Sequence, residues 1–325
     1  MASQMAKKRV QPIHKMTEVV GSFVGDDMEF EMEDVYKTGD EIQVLAESFE
    51  TMSRKMKDYV TQIVQNTAEK ERMEAEMEAA SQIQFKMLPT IEPDFSGKPE
   101  YELFAAMSTA RQVGGDLYDF YYLDEDRLVM MIGDVSGKGI TAALFMALCK
   151  QMIKSYVLLH NGDIIAAMNE ANKRLCEESA DAMFVTVWLG VLTLSTGELN
   201  FINAGHMYAA VKRGDAEFAL EEDVHCLLMG AIEFATYKIN TTRLNPGDAI
   251  YLYTDGVTEA HVDADSGHEN LFGEARMLEA LNEMKDSSME ELDNNVRKRV
   301  SEFTKGAEQY DDMTTLCFRY LGKEN

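Results

Sequence analysis

Apolar residues recur at alternating steps of four and three from Leu45 to the end of a stretch that contains neither Gly nor Pro between Gly39 and Pro89. The positions are Leu45, Phe49, Met52, Met56, Tyr59, Ile63, Asn66, Lys70, Met73, Met77, Ala80, Gln84 and Met87, and the residues between them are mainly Glu, Lys, Gln, Ser and Thr. A seam of this kind, kept for about six heptads, predicts one long helix and a coiled coil. At 1.5 Å per residue the helix extends roughly 70 Å. One chain cannot bury such a seam by itself, so the pattern predicts a parallel homodimer through residues 41–88. A long amphipathic helix folded against its own domain is the other reading. Asn66, Lys70 and Gln84 interrupt the seam; polar seam residues cost stability and set register and strand number.

Upstream, Val10–Val24 is a shorter amphipathic segment with Pro12 near its start, followed by Gly25 and the acidic stretch Asp26–Asp34. Downstream, Pro89, Pro93, Gly97 and Pro99 mark a linker. Short β-type runs then occupy Tyr101–Met107, Leu117–Leu123, Arg127–Gly133, Met183–Leu194, Glu198–Asn203, Tyr208–Lys212, Thr236–Leu244, Ala249–Tyr253 and Met313–Tyr320. Helical periodicity occupies Ile140–His160, Asp163–Glu178, Glu274–Met284 and Ser288–Thr304. Strand pairs separated by helix pairs predict an α+β fold of two packed antiparallel sheets flanked by helices. The expected organisation is a helical region over 1–56, a coiled-coil linker over 57–93 and an α+β domain over 94–325.

Charge and cysteine content narrow the function classes. The 325 residues carry 31 Lys and Arg against 57 Asp and Glu, a net charge of −26. So negative a surface repels phosphate backbones, which argues against nucleic acid as a partner. Cys149, Cys176, Cys226 and Cys317 form no CxxC pair and read as reduced thiols of a cytoplasmic protein. No run approaches 18 consecutive apolar residues.

Four aspartates stand at the ends of strand-like runs: Asp116 in VGGDLYD, Asp134 in MMIGDVSGKG, Asp255 in YLYTDGV and Asp311 in QYDDMTTL. Carboxylates are hard oxygen donors suited to Mg²⁺ or Mn²⁺, and rigid strand ends hold them well. Any one Asp-Gly after a strand can be a plain turn. Four together suggest a fold that gathers acids around two or more ions, an arrangement suited to phosphoryl transfer. GDVSGKG lacks the GxxxxGK[ST] spacing of a phosphate loop, since Gly139 follows Lys138; Gly137 and Gly139 read instead as shaping the turn into a helix.

The order and wording of these segments resemble the metal-dependent serine/threonine phosphatases of the PPM superfamily, in the SpoIIE-like bacterial branch. The resemblance covers roughly residues 80–321 and includes ASQIQFKMLP from Ala80, ARQVGGDLYDF from Ala110, GDVSGKGITAALFMA from Gly133, NAGH from Asn203 and the closing DDMT. It implies an α-β-β-α sandwich with Mg²⁺ or Mn²⁺ at one end. It implies that Asp134 bridges the ions, that the Val135 carbonyl and Asp255 and Asp311 complete the set, and that Asp116 serves the second ion. Asp312, beside Asp311, is not separable from it by sequence, although the alignment of DDMT favours Asp311. The role of Asp119 stays open. Arg111 matches the arginine that binds substrate phosphate in eukaryotic relatives. Ser136 stands where those relatives have a histidine proposed as general acid, and His206 reads as structural.

Residues 1–56 resemble a HAMP signalling domain through Pro12, Glu41 and Phe49, with Val44 a departure. HAMP domains ordinarily follow a membrane helix, so the chain reads as cytoplasmic, either free or as the cytoplasmic part of an inner-membrane receptor. Together these resemblances imply a homodimeric phosphatase acting on a phosphoprotein, with a STAS-domain anti-sigma-factor antagonist as the expected substrate. A catalytically inactive relay is the rival, but it would be expected to lose a metal acid, and all four are present.

Overall fold

The computed structural model describes residues 2–21, 29–91, 93–178, 183–262 and 271–322, with side chains from residue 10 onward. The predicted Gly25 and the first part of the acidic stretch lie outside the described residues. Two compact units divide the chain, Met1–Glu76 and Met77–Asn325.

In the first unit, α1 spans Ala2–Gly21 and is followed by a 3-10 turn at Asp34–Tyr36. The helix α2 begins at Glu41 and runs to Met87. Asp40 starts it by accepting the Ile42 N–H at 3.0 Å, the service an N-cap acid performs for orphan donors. A small core gathers Met16, Phe30, Tyr36 and Ala46, and the Phe30 N–H donates to Ser53 Oγ at 2.9 Å. Pro12 lies inside α1 rather than near its start. The preceding Ala, Gln, Met, Lys and Arg residues are good helix formers and extend the helix backwards. The predicted seam of α2 is largely bare: Leu45, Met52, Met56, Tyr59, Ile63 and Met73 are each 46–66% exposed.

The second unit is built on ten strands: β1 Tyr101–Ser108, β2 Leu117–Tyr122, β3 Arg127–Val135, β4 Val185–Thr193, β5 Glu198–Ala204, β6 Ala210–Lys212, β7 Ala219–Leu220, β8 Asn240–Arg243, β9 Ala249–Tyr253 and β10 Met313–Tyr320. They form two five-stranded sheets in the orders β1-β10-β9-β6-β7 and β2-β3-β4-β5-β8. All pairings are antiparallel. Among the described residues, the end of α2 is joined in this unit by α3 Ile140–Leu159, α4 Ile164–Glu178, the single turn α5 Asp255–Thr258, α6 Gly273–Glu283 and α7 Met289–Thr304.

The period-2 alternation of the strands explains the layering. Along β3, Leu128, Met130 and Ile132 enter the core between the sheets, while Val129 and Met131 face α3 and α4. Along β10, Leu316, Phe318 and Tyr320 point inward, whereas Met313 and Cys317 pack under α6 and α7. The result is the expected α-β-β-α sandwich with a core in each of its three gaps. Helix α4 buries Ile164, Ala167, Met168, Ala171 and Leu175, one stripe of a 3.6-residue period. Ser288 and Glu291 close a capping box at the start of α7. By length and composition α3 could cross a membrane, yet Ala142, Phe145, Met146, Cys149, Ile153 and Val157 of this helix fill the first core. All four cysteines are free thiols, Cys149 and Cys317 buried and Cys176 and Cys226 half-buried.

Four strands are shorter than predicted, β2 by the single residue Leu123, and one was not anticipated. Thr236–Leu244 reduces to β8, because Tyr237 drops into the first core and the Lys238 N–H turns to Cys226 Sγ. Met183 and Phe184 precede β4, Tyr208 and Ala209 precede β6, and the two-residue β7 carries too little pattern to be seen.

Candidate active site

Four chain segments end at the same edge of the sandwich. The N-terminal end of β2 and the C-terminal end of β3 come from one sheet; the C-terminal end of β9 and the N-terminal end of β10 come from the other. Asp116 precedes β2, Asp134 is the penultimate residue of β3, Asp255 opens α5 directly after β9, and Asp311 and Asp312 precede β10.

Hydrogen bonds join the two sheets at this edge. Thr254 Oγ1 donates to Asp116 Oδ2 at 2.7 Å and accepts the Thr314 N–H at 3.0 Å. Asp312 accepts from the backbone N–H of Ala110 at 2.8 Å and of Gly115 at 2.7 Å. Two glycines are needed for this closeness. A Cβ on Gly114 would lie 2.1 Å from Asp312 Oδ2, and one on Gly256 would lie 1.9 Å from the Asp312 carbonyl oxygen. The Val135 N–H reaches the Gly115 carbonyl at 3.3 Å.

The acids feel one another. Burial, then the charge of Asp134, holds Asp116 well above the usual carboxylate range. Burial, then the charges of Asp255 and Asp311, pushes Asp134 up to about 7. Asp255 is pushed up to about 6 by burial, then by Glu259 and Asp311. Desolvation and like charge both disfavour ionised carboxylates, so such a cluster calls for cations. Asp311 has one: its Oδ2 lies 2.8 Å from Lys138 Nζ.

Asp311 and Asp312, inseparable by sequence, have different surroundings. Both carboxylates act by their charge on Asp134, but Asp312 accepts two backbone amides whereas Asp311 pairs with Lys138 and also acts on Asp255. Arg111 is exposed and lines a cleft of about 650 Å³ with Lys138, His261 and Tyr310. Ser136 is engaged with Phe184: its Oγ accepts the Phe184 N–H at 3.0 Å and its own N–H donates to the Phe184 carbonyl at 2.9 Å. His206 is buried with Nδ1 3.0 Å from Thr186 Oγ1; burial lowers its pKa to about 4, leaving a neutral ring at pH 7.

Asp119 lies apart from the acid cluster. It is a fully buried carboxylate paired at 3.1 Å with both Lys150 and Lys154 of α3. Lys150 Nζ also donates to the Met87 carbonyl at the end of α2, at 2.9 Å. Gln84 corrects the sequence reading. Rather than standing in an open seam it is buried, giving its Nε2–H to the Gly114 carbonyl at 2.7 Å and accepting the Gly114 N–H at 3.1 Å. Its 4-3 spacing is shared by any helix face, and here that face meets the sandwich.

Among the described residues no three His, Cys, Asp or Glu side chains already stand in metal-coordinating geometry. The donor set nonetheless fits divalent cations. It consists of hard oxygens, held on strand ends, desolvated and mutually repelling. Thr254, Gln84 and Lys138 were not singled out as site residues, although they lie within YLYTDGV, ASQIQFKMLP and GDVSGKG.

The fold is that of PP2C-type phosphatases. The SiaA PP2C domain of Pseudomonas aeruginosa superposes with a TM-score of 0.68 at 22% identity, over 78% of this chain and 99% of that one. The chain belongs to the SpoIIE family (stage II sporulation protein E), whose profile matches residues 124–321. Protein IcfG of Synechocystis sp. is 28% identical over 334 aligned residues, which take in 94% of this chain but only half of that protein. Phosphoserine phosphatase RsbU of Bacillus subtilis is 27% identical over 253 residues, 77% of this chain and 71% of that protein.

Proposed function

We propose that this chain is a Mg²⁺- or Mn²⁺-dependent protein phosphoserine/phosphothreonine phosphatase. The observation that carries the reading is the convergence of Asp116, Asp134, Asp255 and Asp311, mutually repelling and the first three desolvated, at one edge of a PP2C-type sandwich. These four side chains and the Val135 carbonyl would hold the ions. Bound there, a pair of divalent cations supplies a nucleophile at neutral pH and neutralises phosphoryl charge. Thr254 orients Asp116 by its hydrogen bond, and Asp312 fixes the 110–115 segment that carries Arg111. The Arg111 guanidinium, with five donors in a planar fork, suits a substrate phosphate. Ser136, held by Phe184, is poorly placed to act as the general acid.

Control is assigned to residues 1–56 as a HAMP-like input and 57–93 as a coiled-coil switch, with 94–325 as the phosphatase. The bare apolar seam of α2 supports a parallel homodimer. The expected substrate is a STAS-domain phosphoprotein in the cytoplasm, in keeping with the resemblance to phosphoserine phosphatases. The retention of all four acids disfavours an inactive relay. Phosphate release from p-nitrophenyl phosphate and from phosphorylated STAS proteins, with Mn²⁺ and with EDTA, tests the reading. Chelation should abolish turnover, and Asp134→Ala or Asp255→Ala should lower it by orders of magnitude. Full activity in EDTA refutes the assignment.

A further inference from the structure

The SGKG turn is left unexplained by the proposed chemistry. Gly137 and Gly139 both have positive φ, 93° and 86°, and a Cβ at either would meet nothing within 4 Å. They are there for backbone conformation, since φ in this range strains any other residue. Their effect is to carry Lys138 across to the 307–311 segment. Lys138 Nζ lies 2.8 Å from Asp311 Oδ2, donates to the Tyr310 carbonyl at 2.9 Å and sits 4.2 Å from the centre of the Tyr310 ring. Three contacts are many for a lysine side chain that keeps a third of its surface exposed. Its charge also reaches Asp255, whose ionised form it favours.

We infer that Lys138 is an internal counter-ion for Asp311, one that must give up this carboxylate when a divalent cation takes it, so that the lysine raises the cation concentration at which the site fills. The inference rests on the phosphatase reading above. A carboxylate oxygen that ligates Mn²⁺ lies about 2.1 Å from the ion. An ammonium kept against the same carboxylate would then stand close to a doubly charged ion, and the two repel. Without the cation, the lysine relieves the repulsion between Asp311 and its acidic neighbours.

The test is Mn²⁺ affinity of the full chain, measured by isothermal titration calorimetry and by the electron spin resonance of free Mn²⁺. Lys138→Gln should bind Mn²⁺ more tightly by about threefold or more, given the modest worth of a half-exposed ion pair and the added cation repulsion. Lys138→Arg, which keeps the charge, should bind as the parent does. In an Asp311→Asn background the Lys138→Gln change should have little further effect, since the pair is already broken. A separate readout is thermal melting: Mn²⁺ should raise the midpoint of Lys138→Gln by more than it raises the parent's. Equal or weaker Mn²⁺ binding by Lys138→Gln overturns the inference. So does equal tightening in the Asp311→Asn background, which would make the lysine a source of general charge only. A parent chain that binds no Mn²⁺ overturns the phosphatase reading along with it, and so separates the two failures.

Discussion

The carboxylate of Asp312 accepts the backbone N–H of Gly115 at 2.7 Å across 197 residues of chain. With the Ala110 N–H on its other oxygen, it ties the start of β10 to the loop that enters β2. Asp311, one residue earlier, instead pairs with Lys138, although both carboxylates act by charge on Asp134. Two adjacent and identical side chains therefore have opposite duties.

That division predicts opposite mutant behaviour. Asp312→Ala strands two backbone donors, each worth about 1–3 kcal/mol when left unpaired in the interior. It should lower the melting temperature with or without Mn²⁺. Asp311→Asn should melt close to the parent in EDTA while losing phosphate release by orders of magnitude. Equal loss of stability in both variants would remove the distinction.

The acid cluster gives the cation-free protein a pH dependence with a definite sign. Asp134 stands at about 7 when folded, against an ordinary value of 3.8. A raised acid favours the fold at pH values below its unfolded pKa, and the contribution is lost as pH rises through the folded one. In EDTA, stability should therefore fall between about pH 4 and 7 more steeply than in Asp134→Asn. Metal ligands must be ionised, so Mn²⁺ affinity should rise over the same interval. Chemical denaturation at a series of pH values measures the first effect and calorimetry the second.

Gln84 makes a testable anchor. Its paired bonds to Gly114 hold the GGD turn two residues from Asp116. Gln84→Ala should leave the Gly114 amide open to solvent and speed its hydrogen exchange by tenfold or more, at about 1.4 kcal/mol per tenfold. Unchanged protection would show that the turn is held by Asp312 and the glycines alone.

The exposed seam predicts assembly. Light scattering of the full chain should give about twice its 36.6 kDa, with the doubling following from a two-stranded coil. Tyr59→Glu with Ile63→Glu should return it to a monomer.

Much of this architecture is legible along the chain because it rests on periodicity. The unbroken apolar run from Leu128 to Ile132 announces a strand buried on both faces, and the heptad run announces α2. The acids that converge could be picked out because each stands at one end of a strand. What periodicity does not encode is where a side chain finds its partner. Asp311 and Asp312 share a type and a turn, and only the folded chain separates them. Gln84 continues a helical stripe whose facing surface changes along α2, and the spacing is the same on both. The Asp119 pairing with Lys150 and Lys154 spans two elements, so neither element alone suggests it.

Lys150 gives α2 a mechanical property. Its ammonium is shared between the Met87 carbonyl, at the end of that helix, and the buried carboxylate of Asp119. The end of a helix carries partial negative charge, so the lysine answers to two negative groups at once. Were the last turn of α2 to rotate, the Met87 carbonyl would swing off and Lys150 would be left with Asp119, a carboxylate it already shares with Lys154. Torsion at the end of α2 would then reach the sheet that carries Asp116 and Asp134 as a change in the pairing of one buried charge.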